Sequence, residues 1–246
     1  LQLKDTGKAV SLLEPALADA RAKGADGSRE EAELLAVMIE SRLQQMAQGR
    51  IPPGGAAVPA GLGALADRLA ELATGDAPAL ALAGSAAYAA GNFDKARRYY
   101  SEARTQDDKL PRARIGLSRT LEQLALAEVA RVEDREPVRP AGGKKEAATV
   151  PAVSGDARTA AMSNAMTLLR EAQRLDDNPN VGRNLAAVYL LQGNAVECEK
   201  LLLAPTLSRD ALALRLRSRA QLSLGKPQAA LESAERAVAE AKRQVE

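Results

Sequence analysis

Residues 91–103, with the sequence GNFDKARRYYSEA, decide the fold. The stretch predicts a helix start followed by small and aromatic residues at fixed packing offsets. Ala96, Tyr100 and Ala103 are spaced by four and three residues, so they share one helix face. Small residues on that face let a second helix approach closely, and the tyrosine ring fills the neighbouring gap. We therefore expect this helix to be half of a closely packed antiparallel pair.

The composition of the whole chain favours the same architecture. Hydrophobic residues make up 46% of the 246 residues, which is enough to bury a core, yet aromatic residues make up only 2%, with no Trp and a single Phe. Most globular cores rely on a few large rings, whereas stacked helix pairs can be built from Ala and Leu, which are also strong helix formers. The composition therefore predicts an all-helical repeat.

The order Gly84, Gly91, Ala96, Tyr100, Ala103 resembles a tetratricopeptide repeat, in which small residues alternate with an aromatic wedge. The resemblance implies an all-α fold, an α-solenoid of antiparallel helix pairs wound into a right-handed superhelix. Similar offsets occur again at Ala165, Leu169 and Ala172, at Gly193, Cys198 and Leu202, and at Gly225, Ala230, Ala234 and Ala237. Several matches at compatible offsets make the resemblance much stronger than a single match would.

The domain organisation follows from where this resemblance is strong. We predict that residues 1–75 form degenerate repeat-like helix pairs and that residues 76–246 form clearer repeats. In the N-terminal part, Thr6 predicts the start of one helix. Ser28 followed by Glu31 predicts a capping box at the start of the next helix.

Residues 131–157 interrupt the pattern. They are rich in Pro and Gly, lack aromatic residues and carry charges of both signs, so they can bury too little apolar surface to become ordered. We predict a mobile insertion that splits one repeat between its two helices. Because Ala165 follows Ala96 by 69 residues, about two repeat lengths, a degenerate extra repeat is the alternative, and the Pro and Gly content argues against it.

The side-chain inventory excludes several classes of function. The chain has 34 basic and 32 acidic residues, so no overall field drives binding to nucleic acid. Histidine is absent, which removes the commonest general base and metal ligand. Cys198 is the single cysteine, and its place at a small-residue offset predicts a buried, inert thiol. We expect no catalytic residues, no metal and no cofactor, and hence not an enzyme.

The compartment is only weakly indicated by the sequence. No apolar run approaches the roughly 20 residues that span a bilayer, so we expect no direct membrane insertion and a soluble protein, either cytoplasmic or periplasmic. The chain begins with Leu1 rather than Met, and we expect this to be a processed or cut end. The oligomeric state stays open.

The family resemblance also implies a binding surface. Tetratricopeptide repeats hold extended or helical protein segments in a concave groove lined mainly by first helices. Numbering from the matched glycines places in that groove Tyr88, Arg112, Arg119, Gln123, Arg183, Asn184, Ala187, Leu190, Arg215, Arg219 and Leu222. This set contains five arginines and no acidic residue, and a guanidinium grips carboxylates at two points. An acidic partner segment is therefore one interpretation, and solvated faces of amphipathic helices are the other.

These patterns favour a noncatalytic scaffold or adaptor that binds a partner segment in the groove. The alternative is a regulatory or supporting helical-repeat part of a larger enzyme or membrane-associated protein. RNA binding is disfavoured because the net charge is near zero and aromatic residues are scarce. We assign packing roles to the aromatic residues of the repeats, which are Tyr88, Phe93, Tyr99, Tyr100 and Tyr189.

Overall fold

The computed structural model describes residues 6–48, 61–133 and 155–244, and within these ranges its regular structure is helical. The chain forms two compact units, Leu1–Thr120 and Leu121–Glu246. The helices are α1 (Thr6–Ala22), α2 (Ser28–Ala47), α3 (Leu62–Leu72), α4 (Ala77–Ala89), α5 (Phe93–Gln106), α6 (Pro111–Glu133), α7 (Gly155–Leu175), α8 (Pro179–Leu191), α9 (Ala195–Leu201), α10 (Ala211–Ser223) and α11 (Pro227–Arg243). Short 3-10 helices occupy Gly24–Gly27 and Pro205–Leu207.

In the first unit, capping side chains define where α4 and α5 begin. The Asp76 side chain accepts a hydrogen bond from the backbone N–H of Ala79 at 3.0 Å and starts α4. The Asn92 side chain accepts one from the N–H of Lys95 at 3.2 Å and starts α5. Between them Gly91 has φ of 76°, a conformation that L side chains rarely adopt. The predicted helix start within residues 91–103 is confirmed.

Tyr100 is the wedge that the sequence predicts. Its ring is 4% exposed and lies against Gly84 of the preceding helix, where an added Cβ would stand 2.8 Å from Tyr100 Cδ1. Gly116 of α6 contacts the same ring still more closely. The Tyr100 hydroxyl donates a hydrogen bond to Ser85 Oγ at 3.0 Å. Two glycines and one serine therefore fix the position of this ring, and the core assignment of Tyr99, Tyr100 and Tyr189 is confirmed by their burial.

The N-terminal helices are joined by a buried acid, and here one prediction is wrong. Glu31 is 2% exposed and accepts hydrogen bonds from Arg21 at 2.9 Å and from Arg68 at 2.7 and 3.0 Å. Ser28 already has helical dihedral angles, because a 3-10 turn leads directly into α2, and Gly27 takes the cap position. No capping box forms, and the Glu31 carboxylate joins α1, α2 and α3 instead.

In the second unit, capping side chains again define where helices begin. Asn178, Asn194 and Asp210 cap α8, α9 and α10 through their side chains. The small and large positions predicted in α7 and after Gly193 are buried, namely Ala165, Leu169, Ala172, Cys198 and Leu202. Helix α9 is short and is followed by the 3-10 helix Pro205–Leu207. The predicted alternation of paired helices therefore holds here despite that break.

The predicted insertion at 131–157 is too wide at both ends. Residues 131–133 belong to the last turn of α6, and residues 155–157 form the first turn of α7. The rest of the segment lies outside the described residues, so its predicted mobility stays a prediction. The proposed division at residue 75 likewise stays a prediction, since it concerns the strength of the repeat pattern along the chain.

Candidate functional site

The first unit contains a cavity of about 500 Å³ between α2, α4, α5 and α6. Three of the predicted groove residues, Tyr88, Arg112 and Arg119, line it together. Its apolar wall includes Leu43 and Ile115, beside the ring of Tyr100. We call this space the first-unit cavity.

The two arginines give the first-unit cavity a positive rim. Arg112 is half exposed, and its Nη1 lies 3.5 Å from Oε1 of Glu40, whose side chain is 58% exposed. Such an exposed ion pair contributes about 0 to 1 kcal/mol, so a partner carboxylate can replace Glu40 at little cost. Arg119 is exposed and forms no ion pair with the side chains described. The rim can therefore accept an anion from outside.

Tyr88 also lines this cavity. Its ring is half buried and packs edge-on against Phe93, with centroids 5.4 Å apart and planes at 62°. This arrangement is typical of a stable aromatic pair, and it leaves part of the Tyr88 ring facing the cavity. Burial raises the pKa of the neighbouring Tyr100 hydroxyl, so that group stays neutral. The first-unit cavity thus combines two cations with an apolar wall.

In the second unit, Arg183 is already neutralised. Its Nη1 lies 2.6 Å from Oδ2 of Asp210, and its Nη2 donates to the side-chain oxygen of Asn180 at 2.8 Å. Asp210 at the same time caps α10 by accepting from the N–H of Ala213 at 2.9 Å. Both charged side chains are only about a fifth exposed. The structure therefore gives Arg183 an internal partner.

Asn184 also has an internal partner. Its Nδ2 donates a hydrogen bond to Oε1 of Glu122 at 2.8 Å, and Glu122 is 8% exposed. Gln123 of α6 and both Ala187 and Leu190 of α8 are half buried. Of these residues only Ala187 and Leu190 are apolar, and they stand three residues apart on α8.

Arg215 and Arg219 line a second cavity, of about 370 Å³, whose lining residues come from α10 and α11 alone. Both side chains are exposed. Leu222, one turn further along α10, is 59% exposed and does not line this cavity. The structure therefore separates the five predicted arginines into a first-unit pair, one neutralised residue and a pair on α10.

Sequence reasoning missed the apolar lining of the first-unit cavity. Ile115 lies three residues after Arg112 and four before Arg119, so helical periodicity could have found it. Leu43 belongs to the apolar stripe that helical spacing predicts for α2, but that spacing does not indicate which helices the stripe contacts. Packing between distant helices places Leu43 at the cavity.

Two further polar groups have clear structural roles. Asp67 accepts hydrogen bonds from Tyr99 Oη and Lys95 Nζ, both at 2.6 Å, which joins α3 to α5. Burial and the Asp67 carboxylate raise the pKa of Tyr99 to about 12. Burial, assisted by the neighbouring Glu199, raises the pKa of the Cys198 thiol to about 11, and Cys198 is 0% exposed. The buried position predicted for Cys198 is confirmed.

Among the described residues, no cluster of three or more His, Cys, Asp or Glu side chains could hold a metal ion. None of the described helices combines the length and the apolar character that crossing a membrane requires.

Comparisons with known proteins support the fold. No protein-family model and no curated protein matches the sequence. Solved structures are similar to it: a crystal structure of MamA has a TM-score of 0.51 at 12% identity, covering 83% of this chain and 96% of that chain. The structure MamA MSR-1 C2 has a TM-score of 0.50 at 13% identity, covering 85% of this chain and 98% of that chain. YrrB, described as a TPR protein with an unusual peptide-binding site, has a TM-score of 0.50 at 14% identity, covering 92% of this chain and 92% of that chain.

The chain therefore has the fold of tetratricopeptide-repeat proteins, an all-α solenoid of antiparallel helix pairs. At identities of 12 to 14% this similarity concerns the fold. The family resemblance and the fold class inferred from the sequence are confirmed.

Proposed function

We propose that this protein is a noncatalytic scaffold that binds an acidic segment of a partner protein at the first-unit cavity. The observation that carries the proposal is the joint lining of one cavity by Arg112, Arg119 and Tyr88. A carboxylate at the rim gains a charge-assisted hydrogen bond from a guanidinium, and an adjacent apolar side chain can enter between Tyr88 and Ile115. The similarity to YrrB supports a peptide as the type of ligand.

The alternative, a regulatory or supporting helical-repeat part of a larger enzyme or membrane-associated protein, is not favoured. The first-unit cavity favours a protein ligand over RNA, because its two cations are accompanied by aliphatic side chains and only one aromatic ring is partly exposed to it.

Peptide selection tests the proposal directly. Random peptides of about 12 residues, long enough to cross the cavity at about 3.3 Å per residue, are displayed on phage and selected against the full chain. We expect enriched peptides to carry Asp or Glu next to a large apolar residue. Their affinity should fall as salt rises, because exposed charges are screened over about 8 Å at physiological ionic strength.

A matched pair of variants locates the binding. Arg119→Glu reverses a cavity charge, and Arg97→Glu reverses an exposed charge on α5 that does not line the cavity. We expect Arg119→Glu to weaken the selected peptides at least about tenfold, as loss of a charge-assisted hydrogen bond does, and Arg97→Glu to leave them unchanged. Equal effects of the two variants, or selected peptides without acidic residues, would contradict the proposal.

A further inference from the structure

The face between α10 and α11 is open in the described structure. The cavity of about 370 Å³ there has a mainly aliphatic lining that includes Leu212, Ala234, Ala237 and Val238. Leu212 on α10 is 53% exposed and Val238 on α11 is 56% exposed, and both line the cavity. Large aliphatic side chains at this exposure, gathered around one cavity, are typical of an interaction surface.

Two of the preceding helix pairs, α4–α5 and α8–α9, have a further helix packed on them. In the second unit, α10 packs on α8 and α9. In the first unit, Gly116 of α6 packs on the ring of Tyr100, which lies between Gly84 and Gly116. In the last pair Ala234 stands four residues after Ala230, as Tyr100 stands four after Ala96. Ala234 is smaller than Tyr100, so it leaves open the space that the Tyr100 ring fills in the first unit.

Arginines at matching positions of the α8–α9 and α10–α11 pairs indicate what kind of group this face can bind. Arg183 lies ten residues before Gly193, and Arg215 lies ten before Gly225, so the two arginines occupy matching positions. Arg183 holds Asp210 at 2.6 Å, and Asp210 is the N-cap residue of α10, the helix that packs on this pair. In the part of the chain that the structure describes, Arg215 has no such acidic partner.

We propose that the α10–α11 face binds an amphipathic helix of a partner protein whose N-cap residue is an aspartate, with Arg215 holding that carboxylate. The apolar stripe of the partner helix covers Leu212, Ala234 and Val238. Arg219, one turn along α10 on the same cavity, favours further acidic residues on the bound helix. A second copy bound through the same face would bring Arg215 and Arg219 of both chains together, so charge repulsion opposes that occupant.

The chain itself supplies a probe for this surface. A labelled peptide carries the sequence 209–224, which contains α10 and its cap Asp210, with every arginine replaced by glutamine and lysines added at its C-terminus for solubility. A control peptide has Asn in place of Asp210. Asn caps a helix about as well as Asp, so the two peptides differ in charge and not in helix formation.

Fluorescence anisotropy with the 246-residue chain then gives a double-mutant cycle. We expect the Asp peptide to bind about tenfold more tightly than the Asn peptide, the size of one charge-assisted hydrogen bond. The Arg215→Gln variant should remove that difference. Equal binding of both peptides to the unaltered protein, or no binding up to about 1 mM, would overturn the proposal.

A second pair of variants locates the apolar contact. Val238→Asp places a charge on the face, whereas Val196→Asp places one on α9, where Val196 is 59% exposed and outside the cavity. Only Val238→Asp should abolish peptide binding, with helicity unchanged for both. Sedimentation of the protein alone that shows a dimer, dissociated by Val238→Asp, would assign the face to a second copy and refute the partner helix. None of these variants touches the first-unit cavity, so this proposal and the proposed function can fail separately.

Discussion

Replacing Gly116 by alanine tests the packing on which the repeat assignment depends. A methyl group there would overlap the far end of the Tyr100 ring, including Cζ and Oη. The ring cannot retreat easily, because Gly84 lies against its other end and its hydroxyl donates to Ser85. Alanine gains about 1 kcal/mol of helix propensity over glycine, whereas overpacking costs about 1 to 3 kcal/mol. We expect a net loss of stability of about 0 to 2 kcal/mol.

Urea unfolding followed by tyrosine emission measures this loss. The chain has no Trp, and three of its four tyrosines, Tyr88, Tyr99 and Tyr100, lie in the first unit, so the signal reports chiefly on that unit. The matched control is Gly63→Ala, because a Cβ at Gly63 would meet only Ala90 Cβ at 3.9 Å, an ordinary contact. We expect Gly63→Ala to be neutral or stabilising by up to about 1 kcal/mol.

A double-mutant cycle with Tyr100→Leu assigns the loss to the ring. Leucine lacks the ring atoms that the added methyl group would overlap, so Gly116→Ala should cost little in that background, with a coupling of about 1 kcal/mol or more between the two positions. Equal stability of Gly116→Ala and Gly63→Ala in the original background would refute the reasoning. The placement of α6 against the α4–α5 pair would then be wrong.

Three further predictions concern the ion pairs and the thiol. Glu31→Gln should destabilise the first unit by about 1 to 3 kcal/mol, because it weakens the hydrogen bonds from Arg21 and Arg68, whose guanidinium groups are half exposed and stay solvated. The hydrogen bond from Arg68 is the main cause that lowers the pKa of Glu31 in the folded chain. The ionised Glu31 therefore stabilises the fold above its ordinary pKa of 4.5, and this contribution is lost as pH falls through the lower pKa of the folded state. The Glu31→Gln variant should lack that acid-induced loss of stability. Asp210→Asn should weaken the second unit by the Arg183 interaction alone, and Asp210→Ala by about 1 kcal/mol more for the lost cap, as urea unfolding can measure. With a pKa raised to about 11, Cys198 should react with a thiol reagent at pH 8 only after urea is added, and fast labelling of the folded chain would contradict its burial.

Local signals predicted the repeats well because the decisive interactions are short in sequence. Asn92 caps α5 three residues away, and Ala96, Tyr100 and Ala103 pack at helical offsets that any sequence window shows. The burial of Cys198 at a small-residue position follows from the same periodicity. Where a helix pair is defined by its own residues, the pattern is sufficient.

The failures arise where a partner lies far along the chain. Glu31 follows Ser28 at capping-box spacing, but its partner Arg68 is 37 residues away and binds it more strongly than a backbone N–H of its own helix would. Arg183 likewise has the spacing of a groove residue, while its partner Asp210 is 27 residues away. Spacing identifies which helix face a charge occupies and leaves open whether another helix neutralises it.

The matched positions of Arg183 and Arg215 show how one residue can serve packing in one repeat and binding in the next. Inside a stack, the arginine meets the cap carboxylate of the following helix, and the pair is largely removed from solvent. On the α10–α11 pair, on which no further described helix packs, the matching Arg215 is not neutralised by an acidic side chain of the described residues. It lies beside aliphatic side chains that are still exposed to solvent. The recognition chemistry proposed for α10 and α11 is therefore the packing chemistry of α8 and α10, with the carboxylate supplied by another chain.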